Sequence, residues 1–180
     1  MPRFAPPDLA TLADEQRRVV DEVRAGRRGT VPANVVCWLP SPELARRAAA
    51  LGEFVRYETS LGPRWSELAI LVVARHWSCA YEWAVHAGEA LAAAVPAAVI
   101  DAVARGAPPE LAGADAVVYA FARELVATGR VSDVTYARAA ETLGEAGVAD
   151  LVGVVGYYTL VAFTLNAREV PAPHGTPRLP

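Results

Sequence analysis

The chain has 180 residues, 53% hydrophobic and 21% charged, with a net charge of −3. This is the composition of a globular protein that buries roughly 70% of its unfolded surface, and it argues against a sequence-independent grip on a nucleic-acid backbone, which needs a basic surface. All 17 basic residues are arginine, which excludes Schiff-base, pyridoxal-phosphate and Walker-type nucleotide chemistry, because each needs a lysine amine.

In chain order, the first residues have no apolar run of the kind found in a secretory leader. Asp8 is placed to cap a first helix running to about Arg24, ahead of a break at Gly26–Gly29. Residues 29–40 hold Gly29, Pro32, Asn34 and Pro40 and read as a loop. Ser41-Pro42-Glu43 combines a capping hydroxyl, a proline at the first helical position and an acid at the positive dipole end, so a helix is expected from there to about Ser60. Gly62-Pro63 reads as a break before a helix over 64–76. Ser78 is placed to cap the next helix, from Cys79 to about Ala94. A short helix is expected over 97–105 after Pro96, then a break at Gly106-Ala107-Pro108-Pro109. Further helices are expected at about 114–128, 132–143 with Ser132 as cap, and 145–168. The tail from Pro171 is Pro-rich and reads as extended or mobile. The stretch Leu151–Leu165 is the most apolar, but at 15 residues it is shorter than the ~20 that span a bilayer. It reads as a buried core helix, and the expectation is a soluble cytoplasmic protein without a membrane segment.

The fold class is therefore all-α. Glu53-Phe54-Val55-Arg56 and Phe121-Ala122-Arg123-Glu124 each precede a turn and two helices, which suggests two related halves arising by internal duplication. The implied organisation is an N-terminal helix and loop (1–36), a main domain (37–170) with repeats at about 40–106 and 110–170, and a tail (171–180).

The chemistry concentrates between Glu67 and His86. On a helix starting near Ser78, residues 79, 82 and 86 lie at about 0°, 300° and 340°, so Cys79, Glu82 and His86 share one face, with Trp83 as an apolar wall beside them. A cysteine in the first helical turn is favoured as thiolate by unpaired N–H groups and the dipole, and the neighbouring Glu82 opposes this. His86 can exchange a proton with either. Each residue alone also fits an ordinary packing or capping role. His76 reads as a helix-end histidine favoured in its charged form, Tyr81 as packing away from this face, and His174 as incidental. Tyr157, Tyr158 and Asn166 are candidates to line a pocket from the second half.

This segment resembles the core motif of the carboxymuconolactone decarboxylase and alkylhydroperoxidase D-like family. In the hydroperoxidase branch a Glu precedes a Cys-x-x-Cys by twelve residues, and a His follows the second Cys by four. Glu67, Cys79 and His86 match, while Glu82 stands where the second cysteine would be. The resemblance spans about residues 40–170, including Pro63-Arg64-Trp65-Ser66-Glu67-Leu68 and Gly156-Tyr157-Tyr158, and it implies an array of helices and a homo-oligomer, a trimer or hexamer.

The missing second cysteine disfavours a dithiol peroxidase, since Cys37 would have to approach Cys79 to replace it. A carboxylate–histidine pair beside a thiol suits proton transfer next to a carbonyl. The first expectation is thus a lyase or isomerase acting on a small organic acid or lactone. In it Glu82 and His86 share acid/base work, Glu67 orients His86, Cys79 assists, Trp83 and Tyr157 contact substrate, and Arg75 or Arg64 binds its carboxylate. A single-cysteine peroxidase and a non-catalytic ligand-binding member are the alternatives. No metal or cofactor signature is present, so none is expected.

Overall fold

The computed structural model describes residues 3–180, and among them all regular structure is helical. One 3-10 turn at Leu9–Thr11 precedes eight α-helices: α1 (Asp14–Ala25), α2 (Ala33–Trp38), α3 (Pro42–Tyr57), α4 (Gly62–His76), α5 (Ala80–Ala92), α6 (Ala97–Ala104), α7 (Gly113–Thr128) and α8 (Asp133–Ala167).

The architecture is built around α4. Every residue from Ser66 to Ala74 is buried, because α3, α5, α6, α7 and α8 all pack against this helix. A helix that is apolar on all sides must be enclosed by others. Leu68, Ile70 and Leu71 are essentially inaccessible, and each such side chain stabilises the fold by about 1.5–3 kcal/mol. Glu67 lies inside this run, so its carboxylate enters the interior and needs a partner there.

The helix α8 is two rods. Gly144 sits at φ 71°, ψ 170°, a conformation essentially restricted to glycine, and the helices on either side match the two expected over 132–143 and 145–168. Ser132 caps the first rod, its hydroxyl accepting from the Thr135 N–H at 3.3 Å. By length and composition α8 is apolar enough to cross a membrane. Half of its most apolar window is nevertheless buried, and it packs against α2, α3, α4, α5 and α7, which is the environment of a core helix. Gly52 on α3 lets α8 approach: a Cβ there would collide with the Tyr157 hydroxyl.

Several boundaries differ from expectation for local reasons. Asp8 caps only the 3-10 turn, accepting from the Ala10 N–H at 2.9 Å, and α1 begins at Asp14. The expected loop over 29–40 contains α2, which forms because burying Val35, Cys37 and Trp38 outweighs poor propensity. The division between residues 36 and 37 falls inside this helix, and Val19, Val20 and Val35 belong to the same core as α4. Gly62-Pro63 opens α4 rather than interrupting the chain, with Gly62 at φ 70° and the proline in the first turn. Ser78 does not cap α5: it adopts φ 49°, and Cys79 takes the capping position in an extended conformation. The α3 helix stops at Tyr57, three residues before the expected end. Tail residue Leu179 packs against the core.

Candidate active site

A cavity of about 380 Å³ lies where α5, α8, α3 and the α1–α2 connection meet. Glu82, Val85, His86 and Glu89 face it from α5, the i, i+3, i+4, i+7 face of that helix. Tyr157, Tyr158, Val161 and Leu165 face it from α8, Arg56 and Tyr57 from α3, and Arg28, Thr30, Pro32 and Asn34 from the N-terminal segment.

His86 and Glu67 form the chemical centre. The His86 Nδ1 atom lies 2.7 Å from Glu67 Oε2, and both residues are buried. A carboxylate can only accept, so it holds the imidazole proton on Nδ1 and leaves Nε2 as the ring nitrogen free for other work. The Tyr158 ring meets the imidazole edge-on at 5.0 Å and fixes its plane. Burial, reinforced by the charge of Glu67, pushes the Tyr158 phenol above its ordinary range, and burial does the same to Tyr157. Both phenols are neutral donors.

Glu82 is the anomaly of the molecule. It is 2% exposed, and neither carboxyl oxygen has a hydrogen-bond partner. Burial, followed by the nearby charge of Glu67, holds its pKa well above the usual carboxylate range. A carboxyl kept neutral in this way is an O–H donor aimed at a cavity.

The expected face is thus correct for Glu82 and His86 but not for Cys79 or Trp83. Cys79 precedes the first helical residue and does not follow the helical phase. It is fully buried and does not line the cavity. Its thiol is pushed up to about 12, first by burial and then by Glu82, with the N–H groups of Glu82 and Tyr81 opposing only in part. The lowering expected at a helix start is overridden by desolvation. Trp83, 2% exposed, packs into the core. Cys37 and Cys79 are both free thiols, and burial raises Cys37 as well, against the opposing charge of Arg168.

Neither arginine expected to bind substrate reaches the cavity. Arg64 is held by Asp115 at 2.6 Å and by the Ala94 carbonyl, and Trp65 Nε1 donates to the same Asp115 at 3.0 Å. Arg75 donates to the Ala104 carbonyl at 2.8 Å beside a separate groove with His76, Tyr119 and Arg123. The cations of the cavity are Arg28 and Arg56, both missed by the sequence reasoning. In the sequence, Arg56 stands out only in the internal echo, and Arg28 only as part of a break.

Tyr81 lines the cavity instead of packing away from it, whereas Tyr157 and Tyr158 lie where a second-half contribution was expected. Asn166 instead donates to the Trp77 carbonyl at 2.8 Å and ties α8 to the end of α4. His76 stacks edge-on with Trp77 at 4.5 Å, and burial lowers its pKa, which disfavours the charged form expected at a helix end. His174 sits in the tail beside Ala80, away from the cavity. Among the described residues, no three His, Cys, Asp or Glu side chains gather in a way that could hold a metal ion.

Residues 42–128 match the model of the Carboxymuconolactone decarboxylase family. A solved structure described as an alkylhydroperoxidase AhpD core, an uncharacterized peroxidase-related protein from Ralstonia eutropha JMP134, superposes with a TM-score of 0.77. It is 19% identical, and the match covers 96% of this chain and 92% of that one. At that identity the likeness establishes the fold. No curated protein matches the sequence. Glu67, Cys79, Glu82 and His86 lie within the family segment, whereas Arg28, Tyr157 and Tyr158 lie outside it.

Proposed function

From the premise that residues 42–128 match the Carboxymuconolactone decarboxylase family model and that the whole chain has an AhpD-like fold, we propose that the protein is an acid/base catalyst, a lyase or isomerase acting on a small organic acid or lactone. One observation carries this reading. A buried Glu67–His86 pair stands beside a neutral, unpartnered Glu82 on one cavity. A buried carboxyl kept neutral can act as an acid, and an imidazole whose Nδ1 faces a carboxylate can act as a base through Nε2.

In the proposed step, His86 Nε2 takes a proton from a carbon next to the substrate carbonyl. The electron pair moves onto the carbonyl oxygen, which takes the Glu82 proton to give an enol and returns it as the carbonyl re-forms. Glu67 balances the imidazolium that forms. Return of the proton at another carbon gives isomerisation; departure of a group from the adjacent carbon gives elimination.

The test is wash-in of deuterium from D₂O into a panel of small carbonyl acids and lactones, followed by NMR. Protein-dependent exchange that disappears in His86→Gln supports the reading. Equal exchange in both proteins rejects it.

The single-cysteine peroxidase reading meets a physical obstacle at Cys79. With the thiol pushed up to about 12 and fully buried, almost none is thiolate near neutrality, and the thiolate is the species that attacks peroxide. Cys79 is therefore expected to react with hydrogen peroxide no faster than an ordinary free thiol, as read by sulfenic-acid trapping and intact mass. The rate should climb as pH rises toward 12. Selective oxidation of Cys79 at neutral pH would restore the peroxidase reading.

We further propose a homo-oligomer, a trimer in the first instance. Leu51 and Phe54 on α3 and Val152, Leu160 and Phe163 on α8 are 39–48% exposed and leave large apolar side chains in water. Faces of this kind on two helices that pack together suit subunit contact. Light scattering coupled to size exclusion should report a multiple of the 19.1 kDa chain mass; a monomer at tens of micromolar would contradict it.

A further inference from the structure

We propose that Arg28, on the connection between α1 and α2, is the residue that binds the carboxylate of the ligand, and that the ligand is a monocarboxylate with an apolar body. This rests on reading the cavity as the ligand site, but not on the acid/base chemistry assigned to His86.

Arg28 lines the cavity, and its Nε–H is buried with no partner. Its Nη2 donates to the Gly52 carbonyl at 2.9 Å, which fixes the guanidinium at one end. Among the described residues no carboxylate lies within ion-pair distance of it. The second cation is differently placed: Arg56 is paired with Glu89 at 3.1 Å and lies over the Tyr57 ring. One guanidinium is thus pre-positioned and uncompensated while the other is already neutralised. The site is therefore complementary to one negative charge, and planar recognition by a fixed guanidinium suits a carboxylate.

The rest of the cavity defines the body. Val85, Val161, Leu165 and the rings of Tyr81, Tyr157 and Tyr158 supply apolar surface. A volume of about 380 Å³ is at the small end of ligand pockets. The unpartnered Glu82 carboxyl, at 2% exposure, is the second orphan on the same cavity. It donates to a neutral oxygen of the ligand and so distinguishes that end from the carboxylate. Two buried orphan donors on one cavity are each costly without a ligand acceptor. The carboxylate on Arg28 is a handle, not the reacting group, because an anion held by a fixed guanidinium is stabilised where it is. Since Arg28 precedes residue 42, the handle belongs to a part of the chain outside the family segment.

The experiment is calorimetric titration of benzoate and hexanoate, each against its neutral amide, with wild-type protein, Arg28→Gln and His86→Gln. Wild-type protein should bind at least one acid ten-fold or more tighter than its amide. Arg28→Gln should lose ten- to 100-fold of acid affinity and leave amide affinity within two-fold. His86→Gln should keep the preference, which separates this inference from the catalytic reading: turnover can fail while acid selectivity stands. The inference is overturned if wild-type protein binds neither acid, if it binds acid and amide equally, or if Arg28→Gln retains the preference. Should Arg28→Gln lower its unfolding temperature and lose the amide as well, Arg28→Lys decides. That variant keeps the charge, so a retained acid preference supports the inference and a lost one overturns it.

Discussion

His86→Gln should lower turnover by about 10²–10⁴-fold, the usual range for one positioned acid/base group, while leaving the protein folded. Glutamine keeps an amide donor able to face Glu67, so the buried carboxylate is not stranded. His86→Ala removes that donor and leaves Glu67, itself buried, without its partner at 2.7 Å. Breaking a buried pair from one side costs about 3–5 kcal/mol, so the alanine variant should lose stability as well as activity. Glu67→Gln should act in the same direction with a smaller effect, because it orients and balances the imidazole without touching substrate. The informative readout is the pH profile. Without the carboxylate, the imidazolium is less favoured, and the acidic limb of kcat/KM, which reports the base, should move to lower pH in Glu67→Gln. A purely structural role for Glu67 would lower the amplitude and leave the limb in place. If His86→Gln turns over at the wild-type rate, the acid/base centre is elsewhere.

Much of this centre was legible because helical periodicity is local. Glu82 and His86 are four apart, so any helix puts them on one face. The pairing of His86 with Glu67 is readable only through the resemblance, since the two lie 19 positions apart and the chain between them passes through a turn whose geometry no spacing rule fixes. The errors share one cause. Extending the α5 period by one residue includes Cys79, whereas Ser78 at φ 49° and the extended Cys79 break that period. The helix dipole, a surface effect, predicts a lowered thiol pKa, whereas full burial governs it. Arg64 and Arg75 lie near the motif in sequence, yet Asp115 and the Ala104 carbonyl, 51 and 29 residues away, hold them elsewhere. Arg28 could not be seen at all. It reaches the cavity only because α2, itself read as loop, packs the N-terminal segment against α3 and α8.

Glu82→Gln should make the protein more stable at neutral and alkaline pH and should reduce its activity. The sign follows from proton linkage. Burial raises the folded-state pKa of Glu82 well above its ordinary value of 4.5, so the folded protein keeps a proton that the unfolded chain releases. Below about pH 4.5 both states are protonated and the carboxyl costs no more than a neutral acid. As pH rises above that value the unfolded chain ionises freely and the folded one does not, so this residue's contribution is lost progressively until the folded pKa is reached. One such proton contributes a slope of about 1.4 kcal/mol per pH unit. In Glu82→Gln that slope disappears, so the stability gain over wild type should be absent near pH 4 and grow with pH, as measured by denaturant unfolding across the range. Activity should move the opposite way. Glutamine still donates a hydrogen bond but cannot deliver a proton, so about 10²-fold or more of turnover should be lost. Residues kept for chemistry at the expense of stability show this opposition. If the variant instead loses stability at every pH, Glu82 is a satisfied structural carboxylate and the cavity lacks its acid. If stability rises and turnover is unchanged, the orphan carboxyl serves ligand recognition alone and the proton comes from another group, with Tyr158 the neutral donor beside His86.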